Sequence, residues 1–231
     1  MSDDLLMSRL VMDEPEHPDP GFAELYATLP DASDLEPWLG WCRRAAPPVL
    51  YLGVGSGRLA VPLVRAGVEL VGVDAHPGMV AQFRRRLPET ELLQVLIERL
   101  DLGRRFELVM APSNILNTPS RLTAAVRHSS RWVAVELLNP HWLAAGASAG
   151  VRVHQMDRSS ARIDVDYPGG WTQEADVALV WPEDVERLLE DAGLRLELMR
   201  AVGPATELHE SSSFHVLARV RDAGRLSSNA P

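Results

Sequence analysis

Short apolar runs alternate with amphipathic stretches through much of the chain. In the amphipathic stretches apolar side chains recur at helical spacing, as at Ala60, Leu63 and Val64, which predicts a helix with one buried face. The apolar runs are too short for helices and are bounded by Gly or Pro, which is typical of strands buried on both faces. The pattern predicts strands over 49–54, 69–74, 91–96, 106–111 and 132–138, and helices over 58–66, 78–87 and 120–128.

The pattern changes after residue 138. β-prone runs now follow one another without helices between them, which predicts an antiparallel insertion with strands over 151–156, 161–166 and 171–179. Helical spacing then returns over 182–192, and Gly193 marks its end. Two further strands are predicted over 195–199 and 214–220.

Strands that alternate with helices indicate a parallel sheet covered by helices on both faces. We therefore expect an α/β fold with a Rossmann-like, doubly wound, mostly parallel seven-stranded sheet and a small antiparallel β insertion. The length of 231 residues suits a single domain. Within this domain, 1–231, we expect a flexible arm at 1–20, the insertion at 143–178 and a frayed tail at 221–231.

Composition narrows the possible partners. A net charge of −9 repels a phosphate backbone, so no nucleic acid is expected. No apolar run is long enough for a transmembrane helix, and the acidic residues 1–4 lack the basic start of a signal peptide. We therefore expect a cytoplasmic protein without a membrane partner. The single cysteine, Cys42, is expected to be a buried structural thiol, and no Cys/His set has metal-ligand spacing, so no metal is predicted.

The segment from Val49 to Arg58, VLYLGVGSGR, is the most informative about function. It predicts a strand, a glycine-rich turn and the start of a helix. Glycines let the backbone take positive φ and approach a ligand closely, and amides at a helix N-terminus favour an anionic group. Asp74 ends the next strand, 21 residues after Gly53, and an acid there can accept hydrogen bonds from both hydroxyls of a ribose.

The spacing of the glycines separates the possible cofactors. A dinucleotide fingerprint is Gly-x-Gly-x-x-Gly, but Arg58 stands where its third glycine would be. The loop is instead Gly53-x-Gly55-x-Gly57. This spacing argues against NAD as the cofactor.

The chain resembles the class I methyltransferases that depend on S-adenosylmethionine (SAM), of the small-molecule N- or O-methyltransferase type. The resemblance covers residues 20–220 and implies SAM as cofactor and a small-molecule methyl acceptor as partner. It also implies that the insertion at 143–178 covers the substrate. The matching segments are LGVGSGRLAVPLVRAG (52–67) with motif I, VGVDAHPGM (71–79) with motif II, LDLGRRFELV (100–109) with the approach to the fourth strand, and APSNILN (111–117) with the place of motif IV.

The resemblance further implies a set of cofactor-binding residues. The methionine end of the cofactor would be lined by Gly53, Val54, Gly55 and Gly57. The ribose and adenine would be held by Asp74, Ala75 and Met79, and the adenine amino group would meet Ile97, Glu98 and Arg99. The transferred methyl would be bordered by Ala111 and Asn114.

Tyr51 departs from the family pattern. Many members carry an acid two residues before the first glycine, where it helps to hold the ammonium group of the cofactor. Tyr51 occupies that position here, and a phenol accepts a hydrogen bond but brings no negative charge at neutral pH.

His141 is the candidate general base. It follows the fifth strand at the carboxyl edge of the sheet, where ligands of α/β proteins bind, although packing beside Trp142 is the alternative role. From the resemblance as a whole we predict methyl transfer to a nitrogen or oxygen of a small metabolite. A metabolite of secondary metabolism is one candidate. Two alternatives stay open: a SAM-dependent reaction without methyl transfer, such as cyclisation, and a catalytically silent partner subunit. A homodimer also stays open.

Overall fold

The computed structural model describes residues 9–12, 17–148, 150–203 and 207–221. Its strands are β1 Arg9–Met12, β2 Val49–Leu52, β3 Leu70–Asp74, β4 Leu92–Gln94, β5 Phe106–Ala111, β6 Ser129–Leu138, β7 Val151–Met156, β8 Ser160–Tyr167, β9 Trp171–Ala178, β10 Leu194–Ala201 and β11 Ser213–Val220. Its α-helices are α1 Pro20–Thr28, α2 Trp38–Cys42, α3 Ala60–Arg65, α4 Pro77–Arg86, α5 Pro119–Arg127, α6 Pro140–Ala144 and α7 Val185–Asp191. Within these described ranges no helix is both long and apolar enough to cross a bilayer.

The main sheet has seven strands in the order β10-β11-β6-β5-β2-β3-β4. β2 pairs in parallel with both β3 and β5, whereas β11 runs antiparallel to β6 and β10. From β2 the chain winds outward to β3 and β4, and then to the other side through β5 and β6. The predicted doubly wound, mostly parallel seven-stranded sheet is confirmed. Its switch point lies between β2 and β5, where open α/β sheets bind ligands at the carboxyl ends of their strands.

The side chains of β2 alternate between two cores. Leu50 and Leu52 pack in the cluster that contains α5 and α7, whereas Val49 and Tyr51 pack in the cluster that contains α2, α3 and α4. All four side chains are buried. A strand that is covered on both faces gives a continuous apolar run in the sequence, which explains why the hydrophobic pattern predicts this strand.

The predicted helices differ from the observed ones at their ends. Because α3 begins at Ala60 rather than at residue 58, Pro62 lies in the first turn, where its missing amide donor is tolerated. The predicted helix over 182–192 divides into a 3₁₀ turn and α7, and Gly193 follows with a φ of 77°. The hydrophobic pattern does not predict α6, since five residues are too few to show a helical period.

A second sheet has the order β1-β9-β8-β7. β7, β8 and β9 form an antiparallel meander, as the pattern after residue 138 predicts. β1 extends this sheet by pairing in parallel with β9, which corrects the expectation of an arm at Arg9–Met12. A four-residue strand whose one buried side chain is Val11 shows no period in the sequence. Residues 17–19 carry no helix or strand, and the other parts of the expected arm and tail, 1–8, 13–16 and 222–231, lie outside the described residues.

The helix α1 joins the second sheet to the main one. Its residue Phe22 packs with Val11 of β1, Trp171 of β9 and Met79 of α4 in one buried cluster. This cluster connects the insertion to the helix that follows Asp74. The insertion and the N-terminal segment therefore form one continuous cover beside the carboxyl end of β3.

His76 fixes the same junction through hydrogen bonds. Its Nδ1 accepts from the amide of Gly78 at 3.1 Å and so caps α4, and its Nε2 donates to the Asp19 carbonyl at 2.9 Å. Asp19 in turn caps α1, because its Oδ1 accepts from the amide of Gly21 at 2.8 Å. The first turns of α1 and α4 are thus tied together by one histidine ring.

The docking of β1 can be tested with two neighbouring substitutions. Val11 is 2% exposed and Leu10 is 55% exposed. Val11→Asp places an unpaired carboxylate in the apolar cluster and should lower the free energy of unfolding by about 2–4 kcal/mol. Leu10→Asp should change it by less than about 0.5 kcal/mol. Thermal denaturation followed by circular dichroism measures both, and equal shifts for the two variants would show that β1 is not docked.

Candidate active site

The glycine-rich turn between β2 and α3 has the backbone that its sequence predicts. Gly53, Gly55 and Gly57 have φ values of 68°, 58° and 87°, which residues with a Cβ rarely adopt. The amides of Gly53 and Val54 both donate to the carbonyl of Val73 on β3, at 2.8 and 3.0 Å. The turn is therefore anchored across the carboxyl end of the neighbouring strand.

The three glycines differ in how much room their surroundings would leave for a side chain. A Cβ on Gly53 would lie 2.7 Å from Cγ1 of Ile115, and one on Gly57 would lie 3.1 Å from Cδ2 of Phe83. A Cβ on Gly55 would meet nothing within 4 Å. Packing therefore excludes a Cβ at position 53 and leaves little room for one at position 57, whereas the backbone at Gly55 is open to a ligand.

Asp74 faces the glycine-rich turn from the end of β3. Its Oδ2 accepts from the amide of Gly55 at 2.7 Å, and its Oδ1 accepts from the amide of His76 at 2.8 Å. Burial raises the pKa of Asp74, although these amide hydrogen bonds oppose the rise. Each carboxylate oxygen has a further lone pair, so the side chain can hold the turn and still accept the two hydroxyls of a ribose. Together with the open backbone at Gly55, this geometry fits the adenosine part of SAM.

The residues expected around the adenine lie in different settings. Ala75 directly follows Asp74 and is half-buried, whereas Met79 is buried in the cluster between α1 and α4 and has little surface left for a ligand. Ile97, Glu98 and Arg99 form a 3₁₀ turn after β4.

Within that turn Ile97 is buried, and the carboxylate of Glu98 accepts from Nε of Arg121 at 2.9 Å. Burial acts to raise the pKa of Glu98, but the hydrogen bond from Arg121, a backbone hydrogen bond and the charges of Arg121 and Arg99 together lower it. The Glu98 carboxylate is thus committed to α5, and Arg99 is exposed. An adenine contact by these three residues stays a prediction.

The loop after β5 carries strained backbone. Ser113 and Asn114 have φ values of 65° and 59°, and consecutive non-glycine residues in this region mark functional sites. The Asn114 amide donates to the carbonyl of Glu136 at 3.0 Å, and its Oδ1 accepts from the amide of Leu138 at 3.1 Å. This loop, which follows the buried Ala111, is therefore fixed to the end of β6 and faces Gly53 through Ile115.

Tyr51 is buried on the face of the sheet that packs against α2. Burial raises the pKa of Tyr51, and the nearby charges of Glu136 and Asp74 raise it further. The phenol is therefore neutral at ordinary pH. Tyr51 does not supply the negative charge that many family members have at this position.

His141 lies on α6, as part of a contact between two segments. Its Nε2 lies 3.0 Å from Oε2 of Glu183, and its ring meets the ring of Trp181 edge-on at 4.9 Å between centroids. These contacts tie α6 to the turn before α7. They give His141 a structural partner, and its role as a base stays a prediction.

Two polar residues on neighbouring strands, the half-buried Glu136 and the buried His215, were not singled out as site residues from the sequence. Glu136 of β6 lies opposite His215 of β11, and its Oε1 accepts from Oγ of Ser213 at 2.8 Å. The ring of His215 packs edge-on against Trp38 and Trp41, with centroids 5.2 and 5.9 Å apart. The signal that identifies such residues is a single charged or polar residue inside an otherwise apolar strand.

Comparisons with known proteins agree with this geometry. Residues 49–136 match the family model described as a methyltransferase domain, a stretch that contains the glycine-rich turn, Asp74 and the loop after β5. A curated relative, the demethylmenaquinone methyltransferase of Beutenbergia cavernae, is 26% identical over 161 residues, which is 66% of this chain and 67% of the relative. Further curated methyltransferases match over 58 to 68 residues, about a quarter of their own length.

Solved structures share the fold over most of the chain. The CcbJ methyltransferase from Streptomyces caelestis superposes with a TM-score of 0.67 and 21% identity, covering 87% of this chain and 96% of CcbJ. The glycopeptide N-methyltransferase MtfA, solved in complex with SAM, has a TM-score of 0.60 and 20% identity, covering 84% of this chain and 98% of MtfA. At these identities the likeness establishes the fold.

Substitution of Asp74 should separate cofactor binding from stability. A charge-assisted hydrogen bond is worth about 1.5–3 kcal/mol, so Asp74→Ala should weaken SAM on the order of tenfold to a few hundredfold, since 1.4 kcal/mol is about tenfold. Asp74→Asn keeps one acceptor oxygen and should lose less. Isothermal calorimetry gives the dissociation constant, and thermal denaturation gives the stability of the same samples.

Asp101 provides the matched control. Its Oδ1 accepts from the amide of Gly103, two residues on, at 3.1 Å, as Oδ1 of Asp74 accepts from His76. Asp101→Ala should lower stability slightly and leave SAM affinity unchanged. If Asp74→Ala lowered the melting temperature but left the dissociation constant unchanged, Asp74 would be a structural residue only.

Proposed function

Since this chain carries a class I, SAM-dependent methyltransferase domain, we propose that it methylates a nitrogen or an oxygen of a small metabolite. The observation that carries the cofactor assignment is the carboxylate of Asp74, which lies beside the open backbone of Gly55 at the switch point of the sheet. The acceptor assignment rests on the cover formed by the second sheet and α1. The net charge of −9 supports a small molecule rather than a nucleic acid as acceptor.

Different residues of the chain would bind the cofactor and orient the acceptor. Asp74 would accept the ribose hydroxyls, and the turn from Gly53 to Gly57 would let the backbone approach the methionine end. Bound SAM supplies an electrophilic methyl group on a sulfonium. Ala111, at the end of β5, and Asn114, in the loop that follows, would border that methyl and orient the acceptor.

Little covalent assistance is needed for this reaction. Methyl transfer is an in-line displacement, and holding the two reacting atoms in line supplies much of the rate. The second sheet would exclude water from the reacting atoms. The strained Ser113 and Asn114, fixed to the end of β6, are suited to this positioning role.

The names of the relatives support a small acceptor. One solved neighbour is a glycopeptide N-methyltransferase and one curated relative is a demethylmenaquinone methyltransferase. A role in secondary metabolism and a cytoplasmic location are part of the proposal, and the buried free thiol of Cys42 is compatible with that location. Burial raises the pKa of Cys42 to about 12, so this thiol is no nucleophile at neutral pH.

Binding measurements test the cofactor. Calorimetry should show SAM binding with a dissociation constant on the order of micromolar and no binding of NAD. No NAD binding is expected because Arg58 stands at the position of the third dinucleotide glycine, and its Nε donates to the carbonyl of Pro30 at 2.7 Å. A measured preference for NAD over SAM would contradict the proposal.

Two outcomes distinguish the alternatives. If SAM binds and is consumed but no methylated product appears, the protein catalyses a non-methylating reaction. The neutral Tyr51, in place of the acid that many family members carry, favours this alternative over the silent subunit. Purified protein that retains neither SAM nor its demethylated product, and binds neither in calorimetry, would indicate a silent subunit.

A further inference from the structure

Strand register places one carboxylate next to the expected reaction centre. Tyr51, Met110, Ala134 and Leu217 are paired in a row across β2, β5, β6 and β11, and their side chains belong to the core beneath α2. Since side chains alternate along a strand, positions two residues nearer the carboxyl edge face the same side. In that next row Glu136 of β6 is paired with His215 of β11, and β2 and β5 end just before it, at Leu52 and Ala111.

The carboxylate of Glu136 is poorly neutralised. It is 23% exposed, and among the described residues its one cationic candidate is His215, with Nε2 3.9 Å from Oε2. Burial and, to a smaller extent, the charge of Arg200 lower the pKa of His215 to about 4, although the charge of Asp34 opposes this. His215 is therefore neutral near pH 7 and does not balance the charge of Glu136.

The surroundings of Glu136 suit a cation. The neighbouring His215 is 7% exposed at its side chain and is wedged against Trp38 and Trp41. Its Nδ1 is buried without a hydrogen-bond partner in the described part of the structure. Tyr51 lies on the same face, and the Glu136 charge acts on its phenol. A carboxylate that has no arginine partner among the described residues can bind an ammonium group through a charge-assisted hydrogen bond.

We propose that Glu136 binds the amino group of the methyl acceptor, so that the acceptor is an amine and the reaction is an N-methylation. This inference rests on the proposed function. Ser213 is the positioning residue, because its hydroxyl donates to Oε1 and leaves Oε2 for the ligand. Glu136 is then also the nearest acceptor for the proton that the nitrogen gives up before methylation: the N–H bond breaks, an O–H bond forms on Glu136, and the nitrogen keeps the electron pair.

The structural alternative is that Glu136 only ties β6 to β11 through Ser213. Glu136→Gln separates the two roles, because glutamine keeps an acceptor for Ser213 but removes the charge. Glu107→Gln is the matched control. Glu107 is 21% exposed at its side chain, lies on β5 at the opposite edge of the same sheet and pairs with Arg131 at 2.6 Å.

The probes are matched amines and alcohols, namely benzylamine with benzyl alcohol, phenethylamine with phenethyl alcohol, and glucosamine with glucose. Their binding is measured by calorimetry on the full chain, with and without the demethylated product of SAM. At least one amine should bind ten or more times more tightly than its alcohol. Glu136→Gln should remove that preference and leave the alcohol unchanged, whereas Glu107→Gln should preserve it.

Three results would overturn the assignment. The unmodified protein could bind amines no more tightly than alcohols, or the Glu136→Gln variant could keep the preference for amines. Finally, the Glu136→Gln variant could lose affinity for SAM instead of affinity for amines. The last would place the ammonium of the cofactor, rather than that of the acceptor, on Glu136. Failure of SAM to bind the unmodified protein would contradict the proposed function. This result can be distinguished from failure of the Glu136 inference, because the amine and alcohol titrations can also be made without cofactor.

Discussion

The hydrogen bond from the Gly55 amide to the Asp74 carboxylate is the contact on which the site depends. It joins the glycine-rich turn after β2 to the end of β3, and the Val73 carbonyl adds two further amide contacts to the same turn. These contacts set the position of the backbone at the switch point. Burial raises the pKa of Asp74 and so disfavours its charged form, whereas the amide hydrogen bonds from His76 and Gly55 favour that form.

The cover over this edge depends on contacts that are remote in sequence. Val11 of β1, Phe22 of α1 and Trp171 of β9 meet Met79 of α4 in one cluster, while His76 ties the first turns of α1 and α4 together. The segment that follows Asp74 is therefore held from two sides. The loop after β5 is held separately, through Asn114 and β6. The segment after Asp74, expected to hold the cofactor, and the loop after β5, expected to border the methyl group, are thus supported by different contacts.

The sequence predicts the parts of the molecule that follow from local pattern. Buried strands such as β2 give continuous apolar runs, and the φ values of the three loop glycines follow from their spacing. β1 has one buried side chain, too few for a period, and its docking depends on Trp171, far along the chain. Met79 and Glu98 were assigned by resemblance alone, and tertiary contacts occupy them: the first with α1, the second with Arg121. Pairing of Glu136 with His215 depends on the register of β6 and β11, which a single sequence does not specify.

Tyr51 and Glu136 are best understood together. Tyr51 lies one row below the row of Glu136, and the charges of both Glu136 and Asp74 act on its phenol. A carboxylate at position 51 would add a third negative charge on the same side of the sheet, in a buried setting where like charges repel strongly and ionisation is already costly. A neutral phenol avoids that repulsion. In this chain the negative charge that many relatives carry on the strand before the glycine loop lies instead on β6, two strands away and beside the loop that would border the methyl. If Glu136 binds the acceptor amine as proposed, that placement would direct the charge toward the acceptor rather than toward the cofactor.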